Sequence, residues 1–304
     1  LLWLSHLSRA RELRSISRLI RSQSLPVHQA NLCAKAASAL AKRVIYAEGE
    51  DPRVLRAAQM ALDEGLASPL LIGSPDAIQR RIEELGLRIR IGQDVGVVDP
   101  QDNPHHGSYS EKYHEIMGRE GVSTEAARAI VQRNHSVIAA LAVHLGDADA
   151  MICGLVGLYE THLERIHSIL GREEGVGQYA ALNALMTDRG TLFIADTYVN
   201  ENPSAEELAD IAWASVQEVR RFGLPPKVAF LSHSSYGSSK RASARKMRQA
   251  RDLFVERHPE IECDGELHGD AARPAEAAGW VRSELYFGVG EETGPSAREQ
   301  TDVI

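Results

Sequence analysis

Short apolar runs, each leading through a capping residue into an amphipathic stretch closed by glycine, recur along this chain, and that recurrence restricts it to an α/β fold. Val44-Ile-Tyr-Ala47 reads as a strand. Glu48-Gly-Glu-Asp51-Pro52 then opens a helix, with Asp51 as N-cap and Pro52 at the first helical position, where its missing N–H costs nothing. Val54, Leu55, Ala58 and Leu62 share one face of that helix, and Gly65 ends it. A strand at Pro69-Leu-Leu-Ile72, a helix entered through Ser74-Pro75 and closed at Gly86, and a strand within Val95 to Asp99 repeat the unit. Helical spacing returns from Ser123 to Gln132 and from Ser136 to Leu145, and Ala148 to Cys153 reads as a buried strand.

The second half alternates in the same way. Leu192-Phe-Ile-Ala195 is a strand ending at Asp196, and Asn200 to Pro203 turns into a helix opened by a capping box, Ser204 with Glu207. Lys227 to Leu231 is a strand, Ala242 to Arg257 a basic helix, and Ile261 to Leu267 a last strand-like piece. The fold expected is therefore α/β, with open, mostly parallel sheets. Ligands of such sheets sit at the carboxyl ends of strands, here the loops after Ala47, Cys153, Ala195 and Leu231.

Length divides this pattern. At 304 residues the chain accommodates two domains of ordinary size, read as 43–153 and 154–272. Residues 1–42 carry Arg9, Arg11, Arg14, Arg18, Arg21, Lys35 and Lys42 against one acid, Glu12. They read as a non-core basic segment, either a transit peptide or a linker at the edge of a truncated or badly translated gene; the second is the expectation, since no Met opens the chain. Residues 273–304 read as an unrelated Gly- and Glu-rich tail, expected from a truncated or frame-shifted gene end. A net charge of −8 argues against generic nucleic-acid binding, and the longest apolar run, Val137 to Val143, is too short to span a bilayer. Cys33, Cys153 and Cys263 are odd in number and scattered, giving neither a disulfide framework nor a metal pair and pointing to a reducing cytoplasm.

The stretch richest in chemistry is Leu231-Ser-His-Ser-Ser-Tyr-Gly-Ser-Ser-Lys240, between a strand and a basic helix. Hydroxyls, backbone N–H groups and a helix N-terminus suit a phosphate, although serine and glycine are also ordinary turn residues. Ser232, Ser234, Ser235, Gly237, Ser238 and Ser239 are the candidate phosphate ligands, with Lys240 or Arg241 supplying charge. Gly154 and Gly157 allow close backbone approach at another strand end. Asp196, followed by Asn200, is the one strand-end carboxylate that could act as a base, orienting a loop being the commoner role; Glu48 and Glu50 read equally well as solvated loop charges. His105 with His106, and His162 with His167, lack metal-ligand spacing, so no metal is expected. Nucleotide-binding glycine motifs are absent.

Arg43 to Ala58, Asp147 to Gly154, Ala195 to Ala209 and Leu231 to Ser239 together resemble the phosphate acetyl/butyryltransferase family, over about 43–272. Gly154-Leu-Val-Gly157 and the serine loop are more similar to the C-terminal phosphotransacetylase-like domain of bacterial NADP-dependent malic enzymes than to the free-standing transferases. The resemblance implies two α/β domains of the isocitrate/isopropylmalate dehydrogenase type with an acyl-CoA and phosphate site in the cleft between them. It implies no permanently bound cofactor, CoA or acetyl-CoA as substrate or effector, acetyl phosphate or phosphate as further ligands, a homo-oligomer, and a malic-enzyme domain joined upstream. Gly154, Arg165, Asp196, Asn200 and the serine loop through Lys240 are then the substrate-binding residues. Glu164 and Met117 stand where the family carries arginines, and the family's catalytic Ser–Arg segment has no counterpart before the resemblance stops at Ala272. Two functions are open on these grounds: an acetyl-CoA-sensing regulatory domain that binds without turnover, and an active phosphate acetyltransferase.

Overall fold

A computed structural model of the chain describes residues 2–5, 42–174, 176–187, 190–269 and 283–287. It forms two compact units that divide near residue 173.

The first unit contains β1 (Leu2–Ser5), β2 (Arg43–Tyr46), α1 (Pro52–Asp63), β3 (Ser68–Ile72), α2 (Pro75–Glu84), β4 (Gly96–Val98), α3 (His106–Met117), α4 (Thr124–Arg133), α5 (His135–Leu145), β5 (Ala150–Cys153) and α6 (Tyr159–Leu170). Its sheet runs β1-β5-β2-β3-β4, parallel throughout except where β1 pairs antiparallel with β5. Alternation along the strands decides which helices each side chain meets. Ile45, Ala47, Ile72, Met151 and Cys153 pack with α3 to α6, whereas Val44, Tyr46, Leu71 and Ala150 pack with α1 and α2. Both faces are thus buried, as a parallel sheet requires. Helix α5 is buried from Ser136 to Ala142, which explains why its sequence is apolar nearly all round. Asp51 caps α1 through its bond to the Arg53 N–H (2.8 Å), and the Arg53 guanidinium, held against the carboxylate, draws the acid below its ordinary range.

Helix α3 begins at His106, in a polar stretch for which the sequence suggests no helix. Its polar start, His106-Gly-Ser108, hides a buried stripe of Tyr109, Ser110 and Tyr113. The Tyr109 hydroxyl donates to Asp147 (2.8 Å), a partner 38 residues away that no local pattern reveals.

The second unit contains β6 (Leu182–Thr187), β7 (Gly190–Ala195), α7 (Ala205–Arg221), β8 (Lys227–Leu231), α8 (Ala242–Arg257), β9 (Glu262–Leu267) and β10 (Ser283–Phe287). The sheet order is β6-β7-β10-β8-β9, with only β6 antiparallel to its neighbour. Phe193, Ala195, Val228 and Phe230 form one face of the core, against Leu208, Ile211, Ala212, Val216 and Val219 of α7 and Met247, Ala250 and Phe254 of α8. The capping box of α7 forms in full: Ser204 N–H donates to Glu207 (2.7 Å) and Glu207 N–H to the Ser204 hydroxyl (3.2 Å).

Two strands here go beyond the sequence reading. β6 precedes the expected Leu192 strand, and β10 lies within the stretch 273–304 yet pairs with both β7 and β8 in the middle of the sheet. Its pattern is only Leu285-Tyr-Phe287 after Glu284, too brief an apolar run to distinguish by period. Among the described residues no helix is long and apolar enough to cross a membrane.

Candidate functional site

The loop after β5 begins with Gly154, whose φ of +97° is open to glycine at little cost. Glu48, from the loop after β2, reaches across to this strand end and accepts from the N–H groups of Gly154 (3.0 Å) and Leu155 (3.3 Å). From the other side His162, buried in the first turns of α6, places Nε2 2.8 Å from the Val156 carbonyl and Nδ1 2.7 Å from the Ser136 hydroxyl. A carbonyl can only accept, so Nε2 carries a proton and donates it to the Val156 carbonyl. A Cβ at Gly157 would lie 3.0 Å from His162 Nε2, which is why a glycine passes there. Glu50 is likewise bonded, accepting from Ser74 N–H (2.7 Å). Glu48 and Glu50 therefore brace loops, a role that their sequence context leaves open. Arg165 is half-buried on α6 near Tyr113, whose hydroxyl burial pushes up and the arginine's charge draws back. Glu164 beside it is exposed.

After β7, both carboxylate oxygens of Asp196 are engaged. One accepts from Ala181 N–H (2.8 Å), the other from the backbone (2.8 Å) and side-chain amides of Asn200, and the Asn200 amide also donates to the Tyr179 carbonyl (2.8 Å). Asp196 and Asn200 together knot two loop segments, and of the two carboxylate oxygens Oδ1 accepts one N–H and Oδ2 two.

The serine loop after β8 is stitched to the end of β9. Ser232 N–H donates to the Leu267 carbonyl (3.0 Å) and Tyr236 N–H to the Glu266 carbonyl (2.8 Å). Ser234 is buried and donates to Glu266 Oε1 (2.7 Å), an oxygen also within 3.3 Å of Gly237 N–H. Ser235 Oγ accepts from His268 N–H (3.1 Å), and Ser238 Oγ accepts from Ser235 N–H (3.2 Å). Ser239 Oγ accepts from Arg241 N–H (3.2 Å) and lies 3.2 Å from His233 Nε2. Gly237, Ser238, Lys240 and Arg241 are exposed. Ser234 thus faces the interior, while the exposed surface of the loop falls to its later members.

Glu266 is fully buried and pairs with Arg248 of α8, whose Nη1 is 2.8 Å from both carboxylate oxygens. Neither residue stands out by sequence, yet a signal was present. A glycine inside a strand marks a bulge, and Gly265 sits there at φ +125° with Phe230 O only 2.5 Å from where a Cβ would be. The β8–β9 pairing slips at this point: Phe230 is opposite Gly265 and Leu231 opposite Leu267, so Glu266 is the extra residue and is turned toward the loop.

Burial pushes the thiols of Cys153 and Cys263 up to about 12, which makes them poor nucleophiles. Among the described residues no group of three or more His, Cys, Asp or Glu is placed to hold a metal.

With this geometry in view, comparison with known proteins decides the family. The family described as phosphate acetyl/butaryl transferase matches residues 29–283. The chain belongs to that family. The matched range is wider at both ends than the resemblance read from the motifs. The NADP-dependent malic enzyme of Escherichia coli (strain K12) is 49% identical over 231 residues, 76% of this chain and 30% of that protein. A phosphate acetyltransferase of Clostridium acetobutylicum is 32% identical over 78% of this chain and 72% of its own length. In fold the chain resembles the EutD phosphotransacetylase from Staphylococcus aureus, with a TM-score of 0.71 at 21% identity, over 90% of this chain and 82% of that one. This phosphotransacetylase-like chain spans about a third of the length of the malic enzymes that it matches.

Proposed function

We propose that this family member binds acyl-CoA or acyl phosphate through the serine loop, and that it is the acetyl-CoA-sensing part of an NADP-dependent malic enzyme. One observation carries the reading. Ser235 and Ser238 use their oxygens to accept backbone N–H groups, which leaves each hydroxyl hydrogen to be donated outward. Two such donors beside the exposed Gly237, Lys240 and Arg241 form a neutral-plus-cationic edge suited to a phosphate oxygen or an acyl carbonyl.

Binding without turnover is the favoured mode because acyl transfer needs a base for the CoA thiol and positive charge for the phosphate. Asp196 has both oxygens engaged, and Glu164 is exposed on α6 where the resemblance calls for an arginine. The second reading, an active phosphate acetyltransferase, is favoured by the 72% of the clostridial enzyme's length that the chain covers.

Calorimetric titration of the purified chain with acetyl-CoA and acetyl phosphate tests the first reading, alongside an assay for acetyl-CoA formation from acetyl phosphate and CoA. Replacing Ser235 and Ser238 with Ala should weaken binding, each lost charged hydrogen bond being worth about 1.5–3 kcal/mol. Unchanged affinity would return the loop to an ordinary turn. A turnover of roughly 1 per second or more would favour the transferase.

A further inference from the structure

The pair Glu266–Arg248 is out of place by ordinary stability arguments. Glu266 is fully buried, and a buried ion pair is often replaceable by apolar residues without loss of stability. Its retention asks for another reason, and the bonds around it supply one. Glu266 Oε1 gathers the Ser234 hydroxyl (2.7 Å) and the Gly237 N–H (3.3 Å), while its backbone carbonyl takes Tyr236 N–H (2.8 Å). Arg248 holds the carboxylate from behind with Nη1 and reaches the Ser239 carbonyl with Nη1 and Nη2, both at 3.3 Å. Between them the two residues touch the loop at positions 234, 236, 237 and 239, on both sides of Ser235 and Ser238. Tyr236, the one described non-glycine residue with positive φ (+49°), lies at the centre of this span, and its hydroxyl is tied to Asp264 (3.0 Å), two residues before Glu266.

We propose that Glu266 and Arg248 are positioning residues: the bulge at Glu266 and its ion pair with Arg248 set the serine loop in the shape that binds a phosphate-bearing ligand, without either side chain touching that ligand. The inference rests on the serine loop being the phosphate-binding element. Removing the pair as a unit should leave the fold intact but unshape the loop, because Ser234 and Gly237 lose their shared acceptor.

The test uses the full chain, with acetyl phosphate as probe in calorimetric titrations and thermal melting as the control for folding. The double variant Glu266→Met with Arg248→Met removes both charges, so neither is left buried without its counter-ion, and it takes from the Ser234 hydroxyl and the Gly237 N–H the acceptor that shapes the loop. It is expected to melt close to the wild type and to bind acetyl phosphate at least about tenfold more weakly, the loss one charged hydrogen bond carries. Hydrogen exchange should show the Gly237 amide unprotected while the β8 amides of Val228 to Phe230 stay protected. Wild-type affinity in the folded double variant overturns the proposal. Should that variant fail to fold, Ser234→Ala decides, since it deletes only the hydroxyl that ties the loop to Glu266: weaker binding supports the proposal and unchanged binding overturns it. The Ser235→Ala, Ser238→Ala variant separates the two levels. If it binds like wild type, the site itself is wrong and the proposal falls with it; if it loses affinity while the double Met variant does not, the site stands and only the positioning role is lost.

Discussion

The loop after β5 and the loop after β8 occupy equivalent places, each between the carboxyl end of a parallel strand and a helix, yet they are fixed by different physics. The first is held by Glu48, half-exposed, and by a histidine that bridges a hydroxyl and a carbonyl. The second is held by a carboxylate with no solvent contact, paired with an arginine that is itself 26% exposed. Water can replace part of the first brace when it is cut. It cannot reach the second, so the same kind of deletion should do unequal damage.

The largest effect follows directly. Glu266→Ala leaves Arg248 facing an emptied interior, and breaking a buried pair from one side typically costs about 3–5 kcal/mol. Urea unfolding should show a loss of that size. A loss below about 1 kcal/mol would mean that water enters the Glu266 site and that the two loops are alike after all.

His162→Ala comes next and probes the first loop from inside. It removes a buried ring and strands the Ser136 hydroxyl and the Val156 carbonyl, for a loss of roughly 2 kcal/mol. Glu48→Ala should cost only about 1 kcal/mol, because the freed Gly154 and Leu155 amides can turn to water, and Glu48→Gln, which keeps an acceptor oxygen, should be close to neutral. If Glu48→Ala proves as damaging as Glu266→Ala, burial is not what separates the two braces.

The same contrast explains what the sequence could disclose. Local signals were legible: Asp51 with Pro52 capping α1, the Ser204–Glu207 box of α7, and the apolar run from Val44 that forms β2. Partners distant in sequence were not. Glu48 meets Gly154 at a separation of 106 residues, and Ser234 meets Glu266 at 32, so the sequence left the role of Glu48 open and gave no sign of the bond that Ser234 makes. β6, α3 and β10 escaped for a related reason, since pairing or packing partners rather than their own period fix them. Gly265 within a strand was the one local mark of the buried brace.

The smallest expected effect concerns acid, and it confines the comparison to the helix that carries Arg248. His258, at the end of α8, stacks on Trp213 with ring centroids 3.7 Å apart and an interplanar angle of 2°. Its pKa is lowered, chiefly by burial, with Arg257 and Arg220 adding to the shift and Glu260 and Asp210 opposing it. A histidine with a lowered folded pKa contributes stability that is present above its unfolded value, about 6.5, and is lost as pH falls through the folded value. The urea midpoint of the wild type should therefore fall between pH 7 and pH 5 more steeply than that of His258→Phe, which keeps an aromatic ring against Trp213 but cannot titrate. Hydrogen exchange should place the extra acid sensitivity in α8 and the serine loop beside it, and leave the Gly154 loop as it was. Equal slopes in the two proteins would show that the stack tolerates the charged ring, and that α8 gives the second loop no dependence on pH that the first one lacks.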